Sequence, residues 1–237
     1  MELNVKEIFF SYQAEGYYIG TPMVFVRFSG CNLRCYYCDT RYALHVRKKD
    51  SIKISEVVSK VLNLAKKYKT NFISLTGGEP LLQKSLFFLI NELKLRNKQI
   101  KIYLETNATL FLRFKEIVNY IDICALNLKI PIDDKDNRSF IKDTEKIVKL
   151  CKLKNKKHFI KLLVSKNPYD KKTLNTLKSF FKNTKPKLVI LQPETKALLS
   201  NNKELFFNLS NIYNEIKSIV PHIHIIPQLH KFIWRIK

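Results

Sequence analysis

"MVFVRFSGCNLRCYYCDT" (residues 23–40) joins a short apolar run to a loop that holds three of the chain's five cysteines within eight residues. The run 23–28 has the length and the β-branched and aromatic content of a buried strand. Three cysteines cannot all be paired in disulfides within the loop, so another chemistry has to be considered for it. The segment therefore predicts a strand whose carboxyl end carries a chemically active loop.

Further apolar runs follow along the chain, separated by helical patterns in which apolar residues recur every three or four positions. Strands that alternate with helices form a parallel sheet with right-handed crossovers, either open or curled toward a barrel. We find no linker that would divide the chain, and we predict a single α/β domain over residues 1–237. The additional predicted strands are 72–76, 101–106, 122–128, 158–164 and 187–193.

Each predicted strand ends in a polar or glycine-bearing segment. In parallel α/β folds the chemistry collects at the carboxyl ends of the strands. We therefore expect these segments to meet the cysteine loop at one rim and to form a single site. They are "TGGEP" (76–80), "ETNAT" (105–109), "NLK" (127–129) and "QPE" (192–194).

Composition limits the class of protein. The formal net charge is +23, which is a feature of many nucleic-acid-binding proteins. The lysines are spread over every predicted helix, however, and this favours a solvated basic surface over nucleic-acid binding. The first residues lack the regions of a signal peptide, and no apolar stretch approaches the ~18 residues that span a bilayer. With unevenly spread cysteines, we expect a cytoplasmic protein that does not enter membranes.

The cysteines of the loop, Cys31, Cys35 and Cys38, have the spacing C-x3-C-x2-C. Three thiolates on a short loop can bind three irons of a cubane cluster and leave the fourth iron open to a ligand. A Cys3His zinc site completed by His45 is the alternative. A chance cluster of structural cysteines is the least favoured interpretation. The remaining two cysteines lie in apolar periodic segments, where burial is expected: Cys124 and Cys151.

The segment "TGGEP" favours the iron cluster. Two glycines at a strand end let backbone groups approach a ligand closely, and Glu79 offers an acceptor to an ammonium group. Together with the cysteine loop, this segment resembles the radical S-adenosylmethionine (SAM) superfamily. The resemblance implies a [4Fe–4S] cluster on the three cysteines and SAM chelated at the open iron. Reductive cleavage of SAM at this iron would then give a 5′-deoxyadenosyl radical that abstracts a hydrogen atom.

A narrower resemblance extends over most of the chain. The segments 7–40, "TGGEPLLQ" (76–83), "LETNAT" (104–109), "LQPE" (191–194) and "PQLHKF" (227–232) resemble, in order, the 7-carboxy-7-deazaguanine synthases. This implies an incomplete (βα)6 TIM-like barrel of the radical SAM type, often dimeric. It also implies an N-terminal substrate-binding segment (about 1–22) and a C-terminal closing segment (about 220–237).

The activity that the resemblance implies is a ring contraction. The substrate would be 6-carboxy-5,6,7,8-tetrahydropterin and the product 7-carboxy-7-deazaguanine, with loss of ammonia as in a carbon–nitrogen lyase. The reaction belongs to queuosine and 7-deazapurine biosynthesis. SAM would be regenerated, Mg2+ would be required, and flavodoxin or ferredoxin would supply the electron.

The resemblance also implies roles for individual residues. The cluster ligands would be Cys31, Cys35 and Cys38, with Thr40 as a magnesium ligand. The SAM contacts would be Tyr37, Cys38, Asp39, Gly78, Glu105, Asn127, Leu128, Lys129 and Gln192. The substrate contacts would be Tyr12, Gln13, Ala14, Glu15, Arg27, Thr76 and Lys237. No residue is given a catalytic role beyond the cluster and SAM.

Several of these roles have a simpler structural alternative. Thr40 also fits a turn position. Arg27, inside a strand, is costly to bury unpaired, and either a substrate carboxylate or an internal ion pair with Glu79 or Glu105 would satisfy it. His230 is predicted as a packed residue at the edge of the sheet, with a polar site residue as the alternative.

The chain departs from the family pattern at a few positions. Alanine replaces the usual glycine at Ala14 and Ala108, and Asn127 and Leu128 replace serine and proline. Two other functions therefore stay open. One is a different radical SAM enzyme, such as a glycyl-radical activase or a peptide modifier. The other is a basic, zinc-containing nucleic-acid-binding module.

Overall fold

The strands of the protein alternate with helices through most of the chain. The computed structural model describes residues 1–130, 140–200 and 202–233. The described strands are β1 (Glu2–Tyr12), β2 (Pro22–Phe28), β3 (Ser51–Lys53), β4 (Phe72–Gly77), β5 (Lys101–Thr106), β6 (Ile123–Asn127), β7 (Lys157–Val164), β8 (Leu188–Pro193) and β9 (His222–Ile225). The α-helices are α1 (Ile54–Lys67), α2 (Leu86–Arg96), α3 (Phe111–Ile117), α4 (Ile141–Leu153), α5 (Lys171–Thr184), α6 (Thr195–Leu199), α7 (Lys203–Ile216) and α8 (His230–Ile233).

All of the strands join one sheet in the order β3-β1-β2-β4-β5-β6-β7-β8-β9. The pairs from β2 to β9 are parallel, whereas β1 is antiparallel to both β2 and β3. Helices follow β2, β4, β5, β6, β7 and β8, which gives the six βα units of an incomplete barrel. The predicted fold class is confirmed.

Three strands are absent from the sequence-based prediction. They are β1, β3 and β9, and each is partly exposed along its length. β1 pairs with β2 over most of its length, from Val5 opposite Phe28 to Tyr12 opposite Pro22. The N-terminal segment is therefore mostly sheet, and only residues 13–21 form a loop.

The sheet separates two apolar cores. The larger core lies between the outer face of the sheet and the helices, and it contains the buried residues of α1, α2, α4, α5 and α7. The smaller core lies on the inner face, where side chains alternate with outward ones at the period of two that strands impose. We call it the inner cluster, and it consists of Met23, Phe25, Tyr103, Ile123, Ala125, Phe159 and Ile190.

Residues 13–21, the plug loop, enter the barrel from the amino-terminal ends of the strands. Backbone hydrogen bonds from Gln13 N to Thr21 O and from Gly20 N to Gln13 O, both 2.8 Å, close its neck. A Cβ atom at Gly16 would lie 2.8 Å from the Phe159 ring, so the loop packs directly on the inner cluster. The C-terminal segment is tied to the same loop, because Leu229 N donates to Ala14 O at 2.8 Å.

None of the helices described is long and apolar enough to cross a membrane.

Candidate active site

The cysteine loop follows β2 and faces the interior at the carboxyl ends of the strands. Its three cysteines are half-buried, and Cys38 N donates to Cys35 O at 3.2 Å. Burial, and then the negative charges of Glu79, Cys35 and Cys38, raise the pKa of the Cys31 thiol to about 11, against a bond from Leu33 N that lowers it. A bound cation would be needed to hold the Cys31 sulfur as a thiolate. His45, the fourth ligand of the zinc alternative, is exposed.

Two glycines bring the end of β4 against this loop. Gly77 has φ +87°, a conformation that side chains rarely adopt. A Cβ atom at Gly78 would lie 2.0 Å from Gly30 O, and Glu79 N donates to that same oxygen at 2.7 Å. The predicted glycine pair is therefore required for the close approach of two backbones.

The side chain of Glu79, just after β4, is hydrogen-bonded to the end of β5. Its Oε1 accepts from Leu81 N at 3.0 Å and from Thr106 Oγ1 at 2.7 Å, and its Oε2 accepts from Asn107 N at 2.7 Å. Burial raises the pKa of Glu79 to about 7, although these three bonds and the charge of Lys129 lower it. The carboxylate is fully buried, so its main partners are protein groups, rather than the ligand ammonium that the sequence suggested.

Asn107, just after β5, is hydrogen-bonded to the cysteine loop. Its Nδ2 donates to Asn32 Oδ1 at 2.9 Å, and Asn32 Nδ2 donates to Thr109 Oγ1 at 2.8 Å. The next residue, Ala108, has φ +56°, which explains why glycine is usual there in the family. The alanine keeps the turn at the cost of a left-handed backbone.

The segment after β6 also reaches the loop. Lys129 Nζ donates to Tyr37 Oη at 2.8 Å, and it lies 4.8 Å from the centre of the same ring. Asn127 Nδ2 donates to Thr106 O at 3.2 Å. Leu128 has only 1% of its surface exposed and packs in the outer core, so only its backbone can face a ligand.

Inside the barrel, a row of polar residues lies above the inner cluster. Each lies two positions after a cluster residue on the same strand, which places it on the same face, one step nearer the carboxyl end. We call this set the polar rim, and it consists of Arg27, Glu105, Asn127, Lys161 and Gln192. Thr76, which pairs with Arg27 in the register, continues it on β4.

Lys161 is the member of the rim that sequence reasoning missed. It is 6% exposed, and its Nζ contacts Glu15 Oε2 at 2.5 Å and Glu105 Oε1. Burial lowers the pKa of Lys161, but Glu105 and Glu15 outweigh it and raise the pKa above the usual range. The available signal was a lysine within the apolar strand "HFIKLLV".

The C-terminal segment closes the rim. Gln228 Nε2 donates to Glu15 Oε1 at 2.8 Å and to Asp39 Oδ2 at 3.2 Å. His230 lies 3.7 Å from Glu15 Oε1 through Nδ1 and 3.4 Å from Asp39 Oδ2 through Nε2. Burial raises the pKa of Asp39, but His230, Lys231 and Arg27 outweigh it and bring the pKa to about 2. His230 is therefore a polar residue of the site, and its prediction as a packed edge residue is wrong.

Arg27 forms an ion pair, but with a partner that was not foreseen. Its Nε donates to Glu7 Oε1 at 2.6 Å, directly across the β1–β2 pair. The guanidinium also lies 5.6 Å from the centre of the Phe9 ring. The expected pairing with Glu79 or Glu105 is wrong. No described side chain contacts the two terminal nitrogens within hydrogen-bond distance, so they can receive a carboxylate.

Two buried polar atoms of the predicted site have no hydrogen-bond partner among the described residues. They are Gln13 Nε2 and Gln192 Oε1. An unpaired buried polar group is costly, so both fit a site that a polar ligand completes. Gln13 Oε1, in contrast, accepts from Ala14 N at 2.9 Å and from Glu15 N at 3.3 Å.

One predicted site residue is not brought into the interior, and a second lies on the turn after the cysteine loop. Tyr12 is exposed, and its ring packs edge-on at 5.7 Å against Phe10, which stacks on Tyr68 at the end of α1. Thr40 begins a short turn, with its Oγ1 3.7 Å from Cys38 Sγ. Lys237 lies outside the described residues.

The cysteine loop, the glycine-lined strand end and the polar rim define a class. Residues 25–166 match the Radical SAM superfamily, and the protein is a radical SAM protein, a class that binds a [4Fe–4S] cluster and SAM. It is 32% identical to the 7-carboxy-7-deazaguanine synthase of Clostridium acetobutylicum, over 99% of this chain and 97% of that protein. The chain belongs to the 7-carboxy-7-deazaguanine synthase family.

Two further comparisons agree with this assignment. The chain is 30% identical to the 7-carboxy-7-deazaguanine synthase of Aquifex aeolicus, over 97% of this chain and 92% of that protein. The crystal structure of QueE from Escherichia coli has a TM-score of 0.64 and 16% identity, and the match covers 97% of this chain and 95% of that one. At 16% identity, the similarity to the QueE structure concerns the fold alone.

Proposed function

We propose that this protein converts 6-carboxy-5,6,7,8-tetrahydropterin into 7-carboxy-7-deazaguanine with release of ammonia, as a carbon–nitrogen lyase. The observation that carries the proposal is the full-length similarity to synthases of that name. The structure adds a polar interior rim beside the cysteine loop, with an arginine that suits the carboxylate of a small acid and carboxylates that suit its N–H groups. Substrate and product differ by one ammonia, so the reaction balances without an external oxidant.

The cysteines Cys31, Cys35 and Cys38 would hold the cluster. SAM would be held by Tyr37, Gln192 and the backbone of Gly78, with further backbone contacts from residues 127–129. A [4Fe–4S] cluster held there would supply the one-electron reduction that turns SAM into a source of the 5′-deoxyadenosyl radical. The chain's own part is to hold both cofactor and substrate in one closed chamber, where water is excluded from the radical.

The substrate would lie between the polar rim and the plug loop. The free terminal nitrogens of Arg27 suit its carboxylate, because a guanidinium can donate two parallel hydrogen bonds. Gln13 Nε2, unpaired and buried, would donate to a ring oxygen or nitrogen. Glu15 would accept from N–H groups of the heterocycle. Glu105, which the resemblance places among the SAM contacts, shares the Lys161 ammonium group with Glu15 and would face the heterocycle with it instead.

The magnesium ion of the family would be bound next to the cysteine loop. The hydroxyl of Thr40 and the neighbouring carboxylate of Asp39 offer the hard oxygens that Mg2+ prefers. Among the described residues, Glu15, Asp39 and His230 also have ligand atoms within 4.8 Å of one another. Asp39 stays ionised at neutral pH because its pKa is about 2.

The electron would come from a flavodoxin or ferredoxin. Tyr36 and Tyr42 are exposed on the cysteine loop and the turn after it, and between them Arg41 Nη2 donates to Tyr36 O at 2.7 Å. Such a surface suits a small acidic donor protein. A cytoplasmic location and a homodimer complete the proposal, as expected for this family.

Turnover under anaerobic conditions tests the proposed function. The iron-loaded protein is mixed with SAM, Mg2+, dithionite and the carboxytetrahydropterin, and the product and methionine are quantified. We expect many molecules of 7-carboxy-7-deazaguanine per molecule of SAM consumed. Methionine formed in step with product would indicate a different radical SAM reaction, and an absence of product would contradict the proposal.

A further inference from the structure

Lys161 has an environment that the family's motifs do not account for. It lies in the middle of β7, and its ammonium group bridges two carboxylates from distant parts of the chain. Glu15 belongs to the plug loop and is 146 residues away in sequence, whereas Glu105 belongs to β5 and is 56 residues away. The side chains of all three are at most 17% exposed.

This arrangement is electrostatically demanding. A lysine is almost never fully buried without a partner, because loss of water destabilises its charge. Two carboxylates at short range repel one another, and one of them would take up a proton unless a cation lay between them. Lys161 supplies that cation, and it also lowers the pKa of Glu15 against the effect of burial.

The contact has a mechanical consequence as well. The plug loop is closed by backbone bonds at the amino-terminal ends of the strands. Its Glu15 contacts Lys161 of β7 at the level of the polar rim. Glu15 Oε1 is in turn bonded to Gln228 Nε2 at 2.8 Å, in the closing segment. The Lys161 ammonium group therefore connects strands β5 and β7 of the barrel wall to the plug loop and, through Glu15, to the C-terminal closing segment.

We propose that Lys161 is a positioning residue of the substrate site. It fixes Glu15 and Glu105 as a pair of hydrogen-bond acceptors facing the substrate and holds the plug loop against the barrel wall. This inference rests on the proposed function, because the pterin is the ligand whose N–H groups these acceptors meet. SAM, which under the proposed function is held beside the cysteine loop, is expected to depend on Lys161 far less.

Anaerobic calorimetry on the iron-loaded, full-length protein tests the proposal. In Lys161→Met we expect the dissociation constant for the carboxytetrahydropterin to rise at least about tenfold, since one partner of a buried ionic network is lost. The dissociation constant for SAM is expected to change by less than about threefold. Lys157→Met, four residues earlier on the same strand and exposed, is the matched control and keeps both constants.

A second set of variants keeps the test sharp if Lys161→Met loads iron poorly. Lys161→Arg retains the charge, and Lys161→Met combined with Glu105→Gln removes the uncompensated repulsion. Both are expected to bind the pterin more tightly than Lys161→Met does. If all three lose pterin and SAM binding equally, Lys161 acts on the fold as a whole and the inference is overturned.

The two proposals fail in different ways. If the unmodified protein neither binds nor converts the pterin, the proposed function fails. If the unmodified protein converts it and Lys161→Met has an unchanged KM and dissociation constant, only the positioning role is lost.

Discussion

The two halves of the barrel interior are built from the same strands but differ in chemistry. The lower half is the inner cluster, seven apolar or aromatic residues, of which Phe25 is the most exposed at 7%. The upper half is the polar rim, which contains one arginine, one lysine and one glutamate among its five members. A step of two residues along a strand separates the halves, for example from Phe159 to Lys161.

The comparison teaches that position along the strand decides what an inward residue does. Near the amino-terminal ends, inward residues bury apolar surface and set the stability of the barrel. Near the carboxyl ends, inward residues stay polar because a ligand, the plug loop or the closing segment completes their hydrogen bonds. Substitutions in the two halves should therefore separate stability from binding.

The largest effect is expected at the cysteine loop, beyond the polar rim. Cys35→Ala should lower iron from about four atoms per chain to near zero and abolish activity, because a cubane cannot be held by two thiolates. Circular dichroism should still show a folded chain. In the control Cys151→Ala, which alters a buried thiol of the outer core, iron content should be unchanged. Equal iron in Cys35→Ala and the unmodified protein would remove this residue from the site.

A substitution in the inner cluster should affect stability instead. Phe159 is 2% exposed, and Phe159→Ala should lower the free energy of unfolding by about 3–5 kcal/mol through loss of burial and an unfilled cavity. The thermal midpoint should fall by roughly 10 °C. The control Leu112→Ala removes an apolar side chain that is 74% exposed and should leave the midpoint nearly unchanged. A smaller fall in Phe159→Ala than in this control would break the comparison.

The buried carboxyl group of Glu79, just after β4, should make the free energy of unfolding depend on pH. Its pKa is about 7 in the folded protein and about 4.5 in the unfolded chain, so the folded state binds the proton more tightly. Stability from this group is full below pH 4.5 and is lost as the pH rises through 7, by about 3 kcal/mol.

Urea titrations of the protein without SAM at several pH values should show this decline. In Glu79→Gln the decline should be absent, whereas Glu92→Gln, at an exposed position of α2, should keep it. A parallel pH dependence in all three proteins would contradict the assigned pKa.

A moderate effect is expected at Arg27. Arg27→Lys keeps a charge opposite Glu7 but removes the two terminal nitrogens, so KM for the pterin should rise about tenfold, which corresponds to about 1.4 kcal/mol. The dissociation constant for SAM should change little. Arg96→Lys, on the exposed face of α2, provides the control. Unchanged KM in Arg27→Lys would assign this arginine to the Glu7 pair alone.

The smallest effect is expected at Tyr12, outside both halves. Its ring lies with Phe10 on the outer face, so Tyr12→Ala should change the dissociation constant for the pterin by less than about twofold. Gln13→Ala, one residue further and pointing inward, should weaken binding more. A larger effect in Tyr12→Ala than in Gln13→Ala would place the tyrosine in the site after all.

Much of the fold could be predicted because the six central parallel strands are nearly continuous apolar runs. The flanking strands could not, since charged residues interrupt the apolar residues of "ELNVKEIFFSY" and its pairing with β2 depends on tertiary structure. The motifs of the site were also readable, because each is local to one strand end. The ion pairs were not: Lys161, Glu15 and Glu105 meet only when the barrel curls, and His230 reaches Asp39 across 191 residues of sequence.

One measurement tests the central claim, that the cysteine loop and the adjoining rim hold an iron cluster with an open site for SAM. The protein is loaded anaerobically, reduced with dithionite, and examined by electron paramagnetic resonance before and after SAM is added. The account predicts the signal of a reduced [4Fe–4S] cluster whose shape changes when SAM binds. A protein that takes up zinc in place of iron, or a cluster signal that SAM leaves unchanged, would contradict it.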